Sequence, residues 1–324
     1  MRSNRLVALV LVAMLTFAAA GCSSGDTTDG AGDGETTTKG PITVGSKIDT
    51  EGGVLGQIII AMLEENGYDV IDKTKTGQTD IVRKALLSGE IDIYPEYTGT
   101  ALSLFFPEET IGEGTSKDAQ ASYDTVKQLD AQQNDVIWLD RAPANNTWAI
   151  AIPKTLSEAE GIVSFEDWAA YIEDGGAVKL VASQEFVDRE EDGVPAIERA
   201  YGFTLTSDQL IILSGGDTAQ TEAAAAQGTN GANAAMAYGT DGSLAALGLV
   251  VLEDPKSIWP VYEPAPLIRG EVLELYPEIA DILNPVFDGL TLAALQDLNG
   301  KVAVDGADPK TVARDYLMAQ GFIQ

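Results

Sequence analysis

From Ile42 onward, short apolar runs alternate with stretches of helical periodicity. Ile42–Val44 reads as a strand. Gly52–Asn66 then carries Val54, Leu55, Ile58, Ile59, Met62 and Leu63 at helical spacing, with Gly67 as its cap and Val70–Ile71 opening a second strand. Thr79–Ser88 predicts an amphipathic helix ended by Gly89, and Ile91–Tyr94 a third strand. Pro95 has no N–H to donate, so it is expected to end the ladder and send Glu96–Thr100 out of the sheet at the strand's carboxyl end. In α/β sheets that is where ligands bind.

The pattern restarts in the second half. Ser116–Asn134 predicts a polar helix and Val136–Leu139 a strand; a crossover between two lobes fits Asn145–Pro153, a strand with Trp148 near its start. Ser164 caps a Phe165–Glu173 helix, Lys179–Ala182 is a strand, Phe186–Gly193 a charged loop and Pro195–Tyr201 a helix. An Ala-rich helix, Thr221–Gln227, turns through Gly228–Gly231 into Ala232–Ala237 and then Tyr238-Gly239-Thr240-Asp241-Gly242. That ending repeats Tyr97-Thr98-Gly99-Thr100, so either two tyrosines face each other across a cleft or the match is chance. Val250–Leu252 reads as a strand returning to the first lobe, and Ile258–Pro266 as an extended Pro-rich segment that leaves Tyr262 outside any helix. Short helices at 271–275, 278–283 and 291–298 precede a final helix through Met318, begun by Asp308-Pro309. The alternation predicts an α/β protein of two lobes, each a mixed, mostly parallel sheet flanked by helices. The expected boundaries are 41–148 with 245–324 for lobe 1 and 149–244 for lobe 2.

The N-terminus follows a different pattern. Arg2 and Arg5 precede a fifteen-residue apolar run, Leu6–Ala20, which is short for a membrane span and reads as a signal peptide over 1–21. Ala19-Ala20-Gly21-Cys22 resembles a lipobox in which Cys22 becomes the lipidated first residue; an ordinary secretory signal with a free thiol is the other reading. Residues 22–40 are rich in Gly, Thr, Ser and Asp and predict a flexible tether with a mean reach of roughly 25 Å.

Composition narrows the chemistry. The 324 residues include 50 acidic and 20 basic side chains, a formal net charge of −30, which repels nucleic acid and anionic headgroups. Such a surface suits a high-salt habitat or an ordinary acidic extracytoplasmic protein. There is no histidine and one cysteine, so Ser-His-Asp and Cys-His arrangements, histidine zinc sites and intrachain disulfides are excluded. Neither a metal nor a cofactor is expected.

Tyr97, Trp148, Tyr238 and Tyr262 all fall at strand ends or in loops. A quaternary ammonium has no N–H to donate, so a site selects it with ring faces, each worth roughly 0.5 to 2 kcal/mol. Lys47, Thr100 and Arg189 would hold a carboxylate at the ligand's other end. The alternatives are a tyrosine that only covers the core, a solvated Lys47 and an ordinary surface ion pair for Arg189.

Gly45-Ser46-Lys47, the run Tyr94-Pro95-Glu96-Tyr97-Thr98-Gly99-Thr100-Ala101-Leu102, Asn145-Asn146-Thr147, Tyr238–Gly242 and Val250–Asp254 resemble the substrate-binding proteins of glycine betaine/choline (osmoprotectant) ABC importers. The likeness runs from Ile42 to the C-terminus. It implies the type II periplasmic-binding-protein fold and a cleft lined by Tyr97, Thr100, Lys47, Trp148, Arg189, Tyr238 and Tyr262. It also implies a small quaternary ammonium ligand, a membrane permease as partner, a membrane link only through Cys22, a monomer, and capture by lobe closure without catalysis. Trp148 stands where a tyrosine is usual, and Glu222 replaces a frequent aromatic. Other classes remain: a binder of an amino acid or polyamine, or a secreted hydrolase using two carboxylates.

Overall fold

The computed structural model describes residues 39–190, 192–213 and 218–324. The predicted signal peptide, Cys22 and the tether up to residue 38 lie outside the described residues. Lys39 and Gly40, read as the end of the tether, instead begin the first strand, where Lys39 pairs with Tyr68.

Among the described residues, ten strands form two sheets: β1 (Lys39–Lys47), β2 (Tyr68–Gly77), β3 (Ile93–Tyr97), β4 (Val136–Trp138), β5 (Trp148–Pro153), β6 (Leu180–Ser183), β7 (Leu210–Leu213), β8 (Ala234–Tyr238), β9 (Leu249–Val251) and β10 (Pro264–Arg269). The first sheet has the order β2-β1-β3-β10-β4 and the second β7-β6-β8-β5-β9. In each, parallel pairing dominates one side (β2, β1 and β3; β7, β6 and β8) and antiparallel pairing the other. The two connections between sheets, β4 to β5 and β9 to β10, are the segments around Asn145-Asn146 and Trp259–Tyr262.

The first sheet organises around α1 (Thr50–Glu65). Asp49 caps it by accepting from the Gly52 N–H at 2.7 Å, and every residue from Glu51 to Leu63 is buried. A helix apolar on all sides must be enclosed on all sides. It lies against β1 and β2 on one flank and the Leu292–Ala303 and Pro309–Gln320 helices on the other. The opposite face of the sheet packs α2 (Thr79–Ser88), α3 (Thr98–Leu104) and α4 (Ala119–Asn134) over Tyr94 and Trp138. The second sheet has its own core around Trp148, Phe165, Trp168 and Phe186. Among the described residues, no helix is long and apolar enough to cross a membrane.

Three sequence readings change. Pro95 does not end its ladder, because β3 continues to Tyr97 and Pro95 stands opposite Pro266 of β10. The Thr98 N–H reaches the Glu263 carbonyl at 3.1 Å, so even-numbered residues of β3 face β10 and the donor that Pro95 lacks faces away. On β10, the Pro264 and Pro266 carbonyls accept from Ala142 and Leu139, so the N–H groups those prolines lack also point away from β3. A segment read as irregular is therefore an interior strand of the sheet from Pro264 onward, between β3 and β4. The strand at Val250–Leu252, read as returning to the first lobe, is β9 and pairs with β5 in the second sheet. The charged loop at Phe186–Gly193 begins instead inside a short helix, Gln184–Asp188, capped by Ser183.

Candidate functional site

A cavity of about 680 Å³ is bordered by Lys47, Tyr97, Thr100, Trp148, Arg189, Tyr238 and Tyr262, all seven residues singled out in the sequence. Strand ends deliver most of them. Lys47 is the last residue of β1 and Tyr97 the last of β3, while Trp148 opens β5 directly across from Tyr238 at the end of β8. Thr100 sits in the first turn of α3. Tyr262 comes from the second connection, where its N–H donates to Asn145 Oδ1 at 2.8 Å and its carbonyl accepts from the Asn146 N–H at 2.9 Å. Its ring lies on Gly99, where an added Cβ would come within 2.8 Å of Cδ1, so no larger residue fits without moving the ring.

The rings are held in different ways. Trp148 stacks on Phe186 with centroids 4.8 Å apart and meets Tyr238 at 5.0 Å. Tyr97 is almost fully buried, donates its hydroxyl to Glu51 Oε1 at 2.8 Å, and carries the Lys47 ammonium 4.6 Å from its ring centroid. Burial raises the Tyr97 phenol well above its ordinary value, and the Glu51 carboxyl adds to this, so it remains a donor. The same desolvation pushes the Tyr262 phenol up to about 12.

The cations are already engaged. Lys47 Nζ lies 2.5 Å from Glu96 Oε1, and Glu96, itself wholly buried, also accepts from the Tyr97 N–H at 2.7 Å and the Tyr94 hydroxyl at 3.1 Å. A carboxylate removed from water needs such a set of donors. Arg189 grips Asp192 with two bonds of 2.6 Å and reaches Glu185 at 3.0 Å, its guanidinium 5.8 Å from the Trp148 ring. Glu185 is two-thirds exposed, so that second bond competes with water.

Several cavity residues went unremarked in the sequence. Glu51 is buried in the first turn of α1 and accepts from Tyr97, from Asn146 at 3.1 Å and from Asn299 at 2.6 Å. The second lobe meets the first there. Asn299 Nδ2 also reaches the Thr240 carbonyl at 2.9 Å, Gln296 reaches that of Gly239 at 2.9 Å, and Gly242 lies so close to the Leu292–Ala303 helix that a Cβ would fall 2.1 Å from the Gln296 carbonyl. Glu222, whose role the sequence left open, is buried and accepts from the Ser243 hydroxyl at the cavity's edge.

The family "Substrate binding domain of ABC-type glycine betaine transport system" matches residues 40–319. The chain belongs to this family. It is 51% identical over 282 residues to the glycine betaine-binding protein YehZ of Escherichia coli, covering 87% of this chain and 91% of that one. It is 33% identical to a glycine-betaine-binding protein of Pseudomonas aeruginosa, over 97% and 94% of the two chains. The solved structure of apo YehZ superposes with a TM-score of 0.75 at 50% identity, covering 88% of this chain and all of that one. The fold is thus that of the two-lobed type II binding proteins, and the family's members bind a small solute for an ABC importer.

Proposed function

We propose that this protein captures a quaternary ammonium solute, glycine betaine or choline, between its lobes and presents it to a membrane permease without making or breaking a bond. The observation that carries the reading is the convergence of four aromatic rings, Tyr97, Trp148, Tyr238 and Tyr262, on one cavity in a chain of this family. Rings attract a cation that offers no hydrogen-bond donor. Thr100 and Arg189 hold the carboxylate of a zwitterionic ligand; Arg189 exchanges its exposed bond to Glu185 for the ligand while Asp192 keeps the guanidinium oriented. Lys47 donates a further N–H while its charge stays balanced by Glu96. The two lobes, the second running from Trp148 past its expected end at 244 to take in β9, close about the two connecting segments. Outside the described residues, a signal peptide over 1–21 directs export and is removed, and a lipid on Cys22 holds the monomer at the outer face of the cell membrane through the tether.

Calorimetric titration with glycine betaine, choline and carnitine, with proline as control, tests this, with Trp148 fluorescence reporting the same event. Binding of the ammonium compounds with a fluorescence change at matching concentrations is the expected result. Binding of proline alone, or turnover of any of these compounds, overturns it.

A further inference from the structure

Among the described residues, the cavity is bordered by four carboxyls, Asp49, Glu51, Glu185 and Asp241, and two cations, Lys47 and Arg189. Glu51 differs from the others in its enclosure and in its partners. Neutral donors from four parts of the chain converge on it: the Tyr97 hydroxyl from β3, the Asn146 amide from the first connection, the Asn299 amide from the Leu292–Ala303 helix, and Thr240 from the loop after β8. The neighbouring cation, Lys47, is spent on Glu96. Neutral donors solvate a carboxylate but leave its charge in place.

We propose that Glu51 sets the charge class of the ligand: ionised at the hydroxyl end of the Tyr97 ring, it favours a purely cationic ammonium such as choline over a zwitterion such as glycine betaine. This rests on the aromatic-site reading above. An O–H bonded to a carboxylate also enriches its ring in negative charge, which strengthens the attraction of the face for a cation.

Glu51 is also built to change state. Burial pushes its carboxyl up to about 7, against the pull of Thr240, Asn299 and Tyr97, and Asp49 at the start of α1 adds to the rise. The other charged groups around it stay fixed in role. Lys47 is tied to Glu96 across the Tyr97 ring, Asp241 accepts from the Tyr238 N–H at 2.7 Å, and Asp297 and Lys301 on the Leu292–Ala303 helix pair with each other. The neutral acid has acceptors at hand, because among the described residues the side-chain oxygens of both Asn146 and Asn299 are buried without a hydrogen-bond partner. Rotation of either amide about its last torsion turns its oxygen to the new Glu51 O–H. A bound cation stabilises the ionised form, so its arrival expels a proton from Glu51.

The test is titration of the full mature chain with choline chloride and with glycine betaine from pH 5.5 to 8.5, repeated in buffers of different ionisation heat to count protons. Neither ligand titrates in that range. The expected result is a rise of about tenfold in choline affinity through pH 7 that exceeds the rise for betaine, with release of a fraction of a proton per choline bound. In Glu51→Gln the rise and the proton release vanish, and the choline-to-betaine affinity ratio at pH 8 falls about fivefold or more. If that variant does not fold, Tyr97→Phe removes one donor from the carboxylate and shifts the midpoint of the pH profile upward. Choline affinity that is flat with pH, with no proton exchanged, overturns the role of Glu51 and leaves the aromatic site standing; no binding of either ligand at any pH removes the aromatic site itself.

Discussion

Tyr97 and Tyr238 occupy matching places, each the last residue of a strand at the edge of the cavity, yet they are held by opposite means. Tyr97 is fixed through its polar atoms and neighbours: its hydroxyl on Glu51, its N–H on Glu96, Lys47 beside its ring. Tyr238 is only half buried and leans its ring on Trp148, which in turn stacks on Phe186. One wall of the cavity is set by charge and hydrogen bonding and the other by ring packing. They should therefore fail under different perturbations.

The largest effect belongs to the packed wall. Trp148→Ala removes the ring between Phe186 and Tyr238, and urea denaturation should show a loss of about 3 to 5 kcal/mol in unfolding free energy. A loss below about 1 kcal/mol would mean that the stack does not support this wall. The polar wall should answer instead to pH. Glu51 is held at about 7 in the fold against an ordinary 4.5, so the native state binds more protons than the unfolded one between those values. Stability owed to the protonated acid is full below the ordinary value and declines as pH rises towards 7, by up to about 3 kcal/mol. Melting temperatures of the wild type and Glu51→Gln compared at pH 5 and pH 8 isolate this contribution from the many other carboxyls. The variant should gain on the wild type at the higher pH, and parallel profiles would contradict the assignment.

How far this contrast was readable in advance depended on what each wall is made of. The aromatic positions stood out because rings at strand ends and loops are few, and the periodicity of α1, α2 and the Phe165–Glu173 helix placed those elements to within a few residues. Glu51 was hidden because one acid among 50 carries no signal; what distinguishes it is enclosure by α1, β3 and the Leu292–Ala303 helix, which are far apart in sequence. Asn299 was hidden for the same reason. β10 was missed because Pro264 and Pro266 argue against a central strand, and only the hydrogen-bond alternation shows that their missing donors point away from β3. The partner of Lys47 likewise comes from tertiary placement, Glu96 lying 49 positions away, while Asp192 meets Arg189 in the turn that follows the Gln184–Asp188 helix, which the charge pattern concealed.

Smaller changes sharpen the comparison. Removing only the hydroxyl should cost about 1 to 2 kcal/mol of stability in Tyr97→Phe, because a buried carboxyl loses a donor, and less than about 0.5 kcal/mol in Tyr238→Phe. Equal costs, measured by denaturation at pH 8, would erase the distinction between the walls. The least effect is expected from Glu185→Gln, since its bond to Arg189 is exposed; stability should shift by less than about 0.5 kcal/mol while Asp192 keeps the guanidinium in place. A large loss would show that Glu185, and not Asp192, orients Arg189.

The whole second sheet comes from one uninterrupted stretch, Trp148 to Val251, entered and left through two segments that hydrogen-bond to each other at Asn145, Asn146 and Tyr262. Its two ends therefore emerge side by side, as in a module inserted into a host. Exchanging that half of the molecule for its counterpart from a relative requires only two splices, so ring-bearing and charge-bearing walls of different ancestry can be recombined within one protein.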